Sequence, residues 1–281
     1  MFIRFLRSCG LKGAAVQVIS LSVGQPDFPT PEDVCDAAIA AIIAGKTKYT
    51  PNTGTSSLRK AICHKLQTEN GLQYSPDEVV VTNGAKQAIW QAVLACVSPG
   101  DEVIVPAPYW VSYPEMVRMA GGVPVVLSTT AEDNFCITSE QLQQAVTPKT
   151  RLLILCTPSN PSGAVYSGPE LSAIADVVRE HPRMLVAADE IYEHIIYPPH
   201  KHVSFAALPQ MWERTFTVNG MSKAFAMTGW RIGYVAAPLH FAKATALIQS
   251  QSTSGACSVS QVCMRPFCTT LFRYTAFFEH S

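Results

Sequence analysis

Short apolar runs alternate with stretches of helical periodicity along most of the chain. The runs predict strands at 19–23, 78–82, 102–105, 123–127, 152–156, 184–188, 215–218 and 230–236. Between them, apolar residues recur at helical spacing over 58–66, 87–97, 113–120, 141–146 and 171–178, and from Pro238 through Ile248. One further helix has clear end signals. Thr30 is read as its N-cap, with Pro31 at the first helical position and Glu32 and Asp33 in the first turn. Val34, Ala38 and Ile42 form its apolar face, and Gly45 stops it.

The strands at 19–23 and 215–218 alternate, but the others are mostly apolar throughout, and most strands are separated by helices. That pattern predicts an α/β fold whose parallel or nearly parallel sheet is covered on both faces. Polar residues collect where strands end: Asn160, Asp189 and Lys223 all follow such runs. Open α/β sheets bind ligands at the carboxyl ends of their strands, so these three residues predict a common site. No Gly-x-Gly-x-x-Gly is present, which argues against a nicotinamide-binding domain.

The densest chemistry lies at 215–234. A strand enters a polar turn at Asn219-Gly220, Ser222 and Lys223 follow, and Arg231 falls within the next apolar run. A lysine among apolar residues loses solvation, which lowers its pKa and frees its amine as a nucleophile. A neighbouring serine and arginine suit a phosphate. Together they suggest a lysine Schiff base to pyridoxal phosphate, although an apolar strand pair carrying one lysine also reads as plain core. A second anion site is read at Gly84, Ala85 and Lys86, where a strand passes through a glycine turn into a helix N-terminus.

The 215–234 segment resembles the lysine signature of class I and II aminotransferases, the fold-type I pyridoxal phosphate enzymes. So do Val-Gly-Gln-Pro-Asp-Phe (23–28), Lys-Tyr-Thr-Pro-Asn-Thr-Gly (48–54), Pro-Tyr-Trp-Val-Ser-Tyr-Pro-Glu-Met (108–116), Asn-Pro-Ser-Gly-Ala-Val-Tyr (160–166) and Asp-Glu-Ile-Tyr-Glu-His (189–194). The likeness runs from about Ile19 to Gln261 and is strongest to the aspartate and prephenate branch. It implies a mostly parallel seven-stranded sheet with helices on both faces, in a large cofactor-binding domain at 31–262. Residues 1–30 would be the remnant of a small domain that is otherwise largely missing, and 263–281 a divergent tail.

The resemblance also implies roles. Lys223 is the catalytic lysine and Asp189 the partner of the pyridine nitrogen. Tyr192 and Asn160 hold the 3′ oxygen, and Trp110 stacks on the ring. The Gly84–Lys86 turn, Ser222 and Arg231 hold the phosphate, joined by Tyr49 from a neighbouring subunit of a homodimer. Gly24, Trp110 and Asn160 face the substrate. Read from the residues alone, Gly24 is equally a strand-to-loop exit, Tyr49 a packing residue and Trp110 a core anchor. The implied reaction moves an amino group from aspartate or glutamate to oxaloacetate, 2-oxoglutarate or prephenate.

One departure bears on activity. The family clamps the substrate's α-carboxylate with an arginine from its C-terminal domain. Arg265 and Arg273, in the tail, lack a matching context. The motifs therefore leave open a catalytically impaired isoform or remnant, and a lyase using the same cofactor. A splice variant, frame change or faulty gene model is the expected origin of the tail.

Bulk properties narrow the partners. Formal net charge is zero over 281 residues, without a basic stripe, which argues against nucleic acid. Charged residues make up only 15% and hydrophobic ones 48%, as a large core requires. No apolar run reaches membrane-spanning length. The nine cysteines include no Cys-x-x-Cys and favour a reducing setting, with Cys96 and Cys156 as buried apolar residues. The seven histidines show no metal spacing, and His194 and His200 read as surface or loop residues. The basic, acid-free start at 1–9 leaves plastid and cytoplasm as the expected compartments.

Overall fold

The computed structural model describes residues 23–264. Arg265, Arg273 and most of the strand expected at 19–23 lie outside the described residues; Val23 itself is exposed and not in a strand.

Seven strands form one sheet: β1 (Val79–Thr82), β2 (Glu102–Ala107), β3 (Val123–Ser128), β4 (Thr150–Cys156), β5 (Leu185–Asp189), β6 (Thr215–Gly220) and β7 (Gly233–Ala236). Their order is β1-β7-β6-β5-β4-β2-β3. The β3–β2–β4–β5–β6 ladder is parallel throughout, while β7 runs antiparallel to both β6 and β1. The mostly parallel seven-stranded sheet is thus as expected.

Helices cover both faces. These are α1 (Glu32–Ile43), α2 (Ser56–Asn70), α3 (Ala85–Cys96), α4 (Ser112–Met119), α5 (Ser139–Ala145), α6 (Gly168–Glu180), α7 (Leu239–Ser252) and α8 (Ser258–Met264). The period of two along each strand divides the core. Val103, Val105, Leu152, Ile154 and Phe216 pack with α3, α4 and α7. Ile104, Leu153, Leu155, Val186 and Ala188 pack with α5 and α6 on the other face. A third cluster joins α1, α2 and α8 to the β1–β7 edge. β1, β5, β6 and β7 are buried at every position, on both faces, whereas edge strand β3 is not.

Three local expectations are corrected. Thr30 does not cap α1: the N-cap is Pro31, and the Thr30 hydroxyl donates instead to the Ala226 carbonyl at 2.8 Å. Asn219 and Gly220 are not a turn but the last residues of β6, paired with Tyr234 and Gly233. Arg231 lies outside the strand that was expected to contain it. Thr228–Trp230 is a 3₁₀ turn and Arg231 adopts the left-handed region, φ +55°, so β7 begins only at Gly233. A left-handed residue cannot continue an extended ladder.

Candidate functional site

β4, β5 and β6 are parallel neighbours, so their carboxyl ends open on one edge. Asp189 is the last residue of β5, Asn160 follows β4, and Lys223 follows β6. The Asn160 amide donates to the Tyr192 hydroxyl at 3.4 Å. Lys223 Nζ lies 5.8 Å from the Tyr192 ring centre and donates to the Gly24 carbonyl. The topology therefore brings Asn160, Tyr192, Asp189, Lys223 and Gly24 together.

Lys223 is half-buried. Desolvation lowers its pKa, and the Arg231 charge lowers it further, while Asp189 acts weakly in the other direction. More of its amine is therefore neutral, and so available to act as a base or nucleophile, near neutrality than in a surface lysine. The plain-core reading does not fit an ammonium placed beside two ligand-sized polar groups and a glycine carbonyl. A Cβ on Gly24 would stand 3.4 Å from Nζ, in ordinary contact with it. The structure thus places Gly24 against the lysine itself.

Asp189 is 4% exposed. Burial raises its carboxyl to about 6, although hydrogen bonds from Tyr113 and the Ile191 amide pull it back. The Tyr113 hydroxyl donates to Oδ2 at 2.6 Å. Tyr113 is a functional residue that the sequence reading missed. Its motif was quoted, but nothing in the spacing pairs α4 with the end of β5. Tyr113 in turn meets Trp110 edge-to-face at 5.5 Å, and the Lys86 ammonium stands 4.9 Å from the Trp110 ring centre. Trp110 is only partly buried, with its ring at the site rather than deep in the core.

The anion cradle also assembles. α3 starts at Ala85, and no side chain caps its N-terminus. Gly84, at φ +79°, lies flat against Arg231, where a Cβ would fall 2.5 Å from Nη2. Arg231 donates to the Thr228 carbonyl at 2.9 Å and the Asn83 carbonyl at 3.2 Å, which aims the guanidinium across the start of α3. Its left-handed backbone is the device that does this. A Cβ on Gly233 would lie 2.5 Å from the Gly84 carbonyl carbon, so β7 and the α3 turn fit together only through glycine. Ser222 is buried beside Lys223. Tyr49 joins none of this, because its side chain is fully exposed. That excludes the packing reading of Tyr49 within one chain.

A cleft of about 290 Å³ borders Asn160 and Tyr192, with Ile195, Tyr197 and His200 on its far wall. His200 is exposed as expected. His194 lies in the turn after β5, partly exposed, and its Nε2 sits 3.1 Å from Glu69. Among the described residues, two groups place acceptor atoms within 4.8 Å: Glu69, Glu193 and His194, and Glu190, Glu193 and His202. The first group joins α2 to the turn after β5, whereas the second lies wholly within the connection that follows β5. No described helix is long and apolar enough to cross a membrane.

Comparison with known proteins agrees with this geometry. The family model for aminotransferase class I and II matches residues 16–272, reaching past Val262, where the motif likeness ends. A bifunctional aspartate aminotransferase and glutamate/aspartate-prephenate aminotransferase of Petunia hybrida is 59% identical over 255 residues, covering 91% of this chain and 53% of that protein. An aspartate/prephenate aminotransferase of Cereibacter sphaeroides is 48% identical, covering 89% of this chain and 63% of the relative. Among solved structures, the Rhizobium meliloti aspartate aminotransferase superposes with a TM-score of 0.93 at 44% identity, over 99% of this chain and 71% of that one. The Thermus thermophilus aspartate aminotransferase with maleate gives 0.90 at 45%, over 98% and 70%. The chain spans about half the length of the plant relatives it matches.

Proposed function

The chain belongs to the class I and II aminotransferases, and from that premise we propose that it binds pyridoxal 5′-phosphate and moves an amino group between aspartate or glutamate and a 2-oxo acid. Oxaloacetate, 2-oxoglutarate and prephenate are the proposed acceptors. The observation that carries this reading is Lys223: a half-buried amine of lowered pKa, on the same sheet edge as a fully buried carboxylate raised to about 6. A buried acid with a neutral tyrosine as its nearest side-chain partner fits a group that brings positive charge, as a pyridinium does. The glycine-lined turn with Arg231 fits a phosphate.

The residues divide the work accordingly. Lys223 would hold the cofactor covalently through Nζ, and Asp189 would hold the pyridine nitrogen. Asn160 and Tyr192 would hold the 3′ oxygen, and Trp110 would cover the ring face. The backbone of Gly84, Ala85 and Lys86, with Ser222 and Arg231, would hold the phosphate. When bound, the cofactor supplies an electron sink for the substrate's Cα. Once the substrate's amine has taken its place, the freed Lys223 Nζ would accept the Cα proton as general base and give it back as general acid, a task its lowered pKa suits. Asp189, buried at 4% exposure, would keep that ring nitrogen protonated. In the proposed homodimer, the fully exposed Tyr49 side chain would be free to reach the second copy. The maleate held by the Thermus thermophilus structure supports dicarboxylates as the substrate class.

The test is a visible absorption spectrum of the purified chain with pyridoxal phosphate, before and after excess aspartate. The reading expects a lysine-bound absorption band, fixed by borohydride onto Lys223, that bleaches with aspartate in favour of the pyridoxamine form. Lys223→Ala removes both the band and turnover. Substantial transamination by that variant sinks the assignment.

A further inference from the structure

We infer that Lys65, Glu193 and Asn219 are positioning residues for this site: a buried charged bridge ties the exits of β5 and β6, and so Tyr192 and Lys223, to α2. The inference rests on the functional reading above and names parts that reading does not use.

The bridge is closed by side chains. Lys65, on α2, is 4% exposed, and its ammonium donates to Glu193 Oε1 and to Asn70 Oδ1, the latter at 2.8 Å. Glu69 Oε2 lies 3.6 Å from the same nitrogen. Glu193 is 8% exposed and accepts twice more: Oε1 from the Asn219 amide at 2.6 Å, and Oε2 from the Asn70 amide at 2.8 Å. Asn219 Oδ1 accepts from the Gly220 amide at 2.7 Å. The void among these groups is about 10 Å³, room for no more than one water.

Position in the chain gives the bridge its purpose. Glu193 is the residue after Tyr192, and Asn219 stands just ahead of Ser222 and Lys223. One carboxylate thus pins both exits to one helix. The other side of the β5 exit is pinned as well. Glu190 Oε1 accepts from the Ser204 hydroxyl at 2.9 Å and the Phe205 amide at 3.0 Å, and His202 lies 3.3 Å from Oε2. Burial alone opposes charge on Glu193, but Lys65, then His194, His202 and the Asn70 amide, outweigh it and hold the acid at about 2. Glu193 is therefore ionised at neutral pH. A buried ion pair is weak evidence for stability, because an apolar pair of similar volume often does as well. What an apolar pair cannot do is hydrogen-bond Asn219 and fix a turn's orientation.

The test replaces the bridge without leaving a lone buried charge. In the full chain, Lys65→Met with Glu193→Met removes the pair together; Lys65→Arg keeps the charge, and Asn219→Ser cuts only the β6 arm. The first readout needs no cofactor: the pH profile of reductive methylation of Lys223 Nζ, followed by mass spectrometry. Loosened exits admit water around Nζ, so in the double variant the Lys223 profile shifts toward that of an ordinary lysine. About tenfold less methylation at pH 7.5 corresponds to one pH unit. The second readout is half-saturation with pyridoxal phosphate, expected to weaken about tenfold, with Lys65→Arg near wild type and Asn219→Ser shifted the same way but less. A double variant or Asn219→Ser that folds, shown by far-UV circular dichroism, yet keeps the wild-type Lys223 profile overturns the proposal. Failure of the double variant to fold leaves the decision to Asn219→Ser. If the wild-type chain takes up no pyridoxal phosphate, the functional reading fails, while the methylation profiles still decide this inference.

Discussion

Replacing Asp189 by Asn should stabilise the cofactor-free chain, and by an amount that pH controls. Burial raises the carboxyl from an ordinary 3.8 to about 6, against the pull of Tyr113 and the Ile191 amide. The folded chain therefore keeps this proton up to about pH 6, while the unfolded chain loses it near 3.8. Below both values the acid is neutral in both states and imposes nothing. As pH rises through this window the folded state becomes progressively less stable, and above it the full difference applies. At about 1.4 kcal/mol per unit, the penalty is about 3 kcal/mol at pH 7.5. Asn has the same shape and no charge, and its carbonyl can still accept from Tyr113. Urea unfolding at pH 7.5 should show Asp189→Asn more stable by up to about 3 kcal/mol, with the gap falling below about 1 kcal/mol at pH 4.5. Cofactor affinity should move the opposite way, because a neutral amide cannot hold a pyridinium. A gap that is absent, or that does not change with pH, refutes the argument that desolvation of Asp189 is a strain which the bound ring relieves.

Three other substitutions probe separate parts. Tyr113→Phe removes a donor that lowers the Asp189 pKa, so the acid should rise above about 6; the pH at which apo stability falls should move up with it, measured by urea unfolding across pH 5 to 8. Gly233→Ala drives a Cβ into the Gly84 and Ala85 backbone, which should lower stability by about 1–3 kcal/mol and weaken pyridoxal phosphate binding, read from the urea midpoint and a spectral titration. Arg231→Lys keeps the charge but loses the planar fork that now spans the Thr228 and Asn83 carbonyls; cofactor affinity should fall by about tenfold, and an unchanged titration curve would exclude the arginine from the phosphate site.

Periodicity along the chain was enough to specify the layers of this protein. Strands buried on both faces are mostly apolar, so β4 and β5 were legible as runs and β6 as an alternation of threonines with Phe216 and Val218, and the polar residues that follow them marked the sheet edge where Asn160, Asp189 and Lys223 meet. Gly84 and the start of α3 were legible too, because a glycine turn between strand and helix is a local pattern. The partners of those residues were not. Tyr113 reaches Asp189 only because β5 lies where α4 can cover its end. Lys65 reaches Glu193 across 128 positions of sequence, and His194 meets Glu69 on α2 across a similar distance in the chain. Arg231 read as part of a strand, since its apolar neighbours obey strand spacing; the left-handed turn that aims it at Gly84 follows from the antiparallel entry of β7 between β1 and β6. Hydrophobic spacing records which face a residue buries. Which polar group it finds there depends on strand order and helix placement, and those are settled by the fold as a whole.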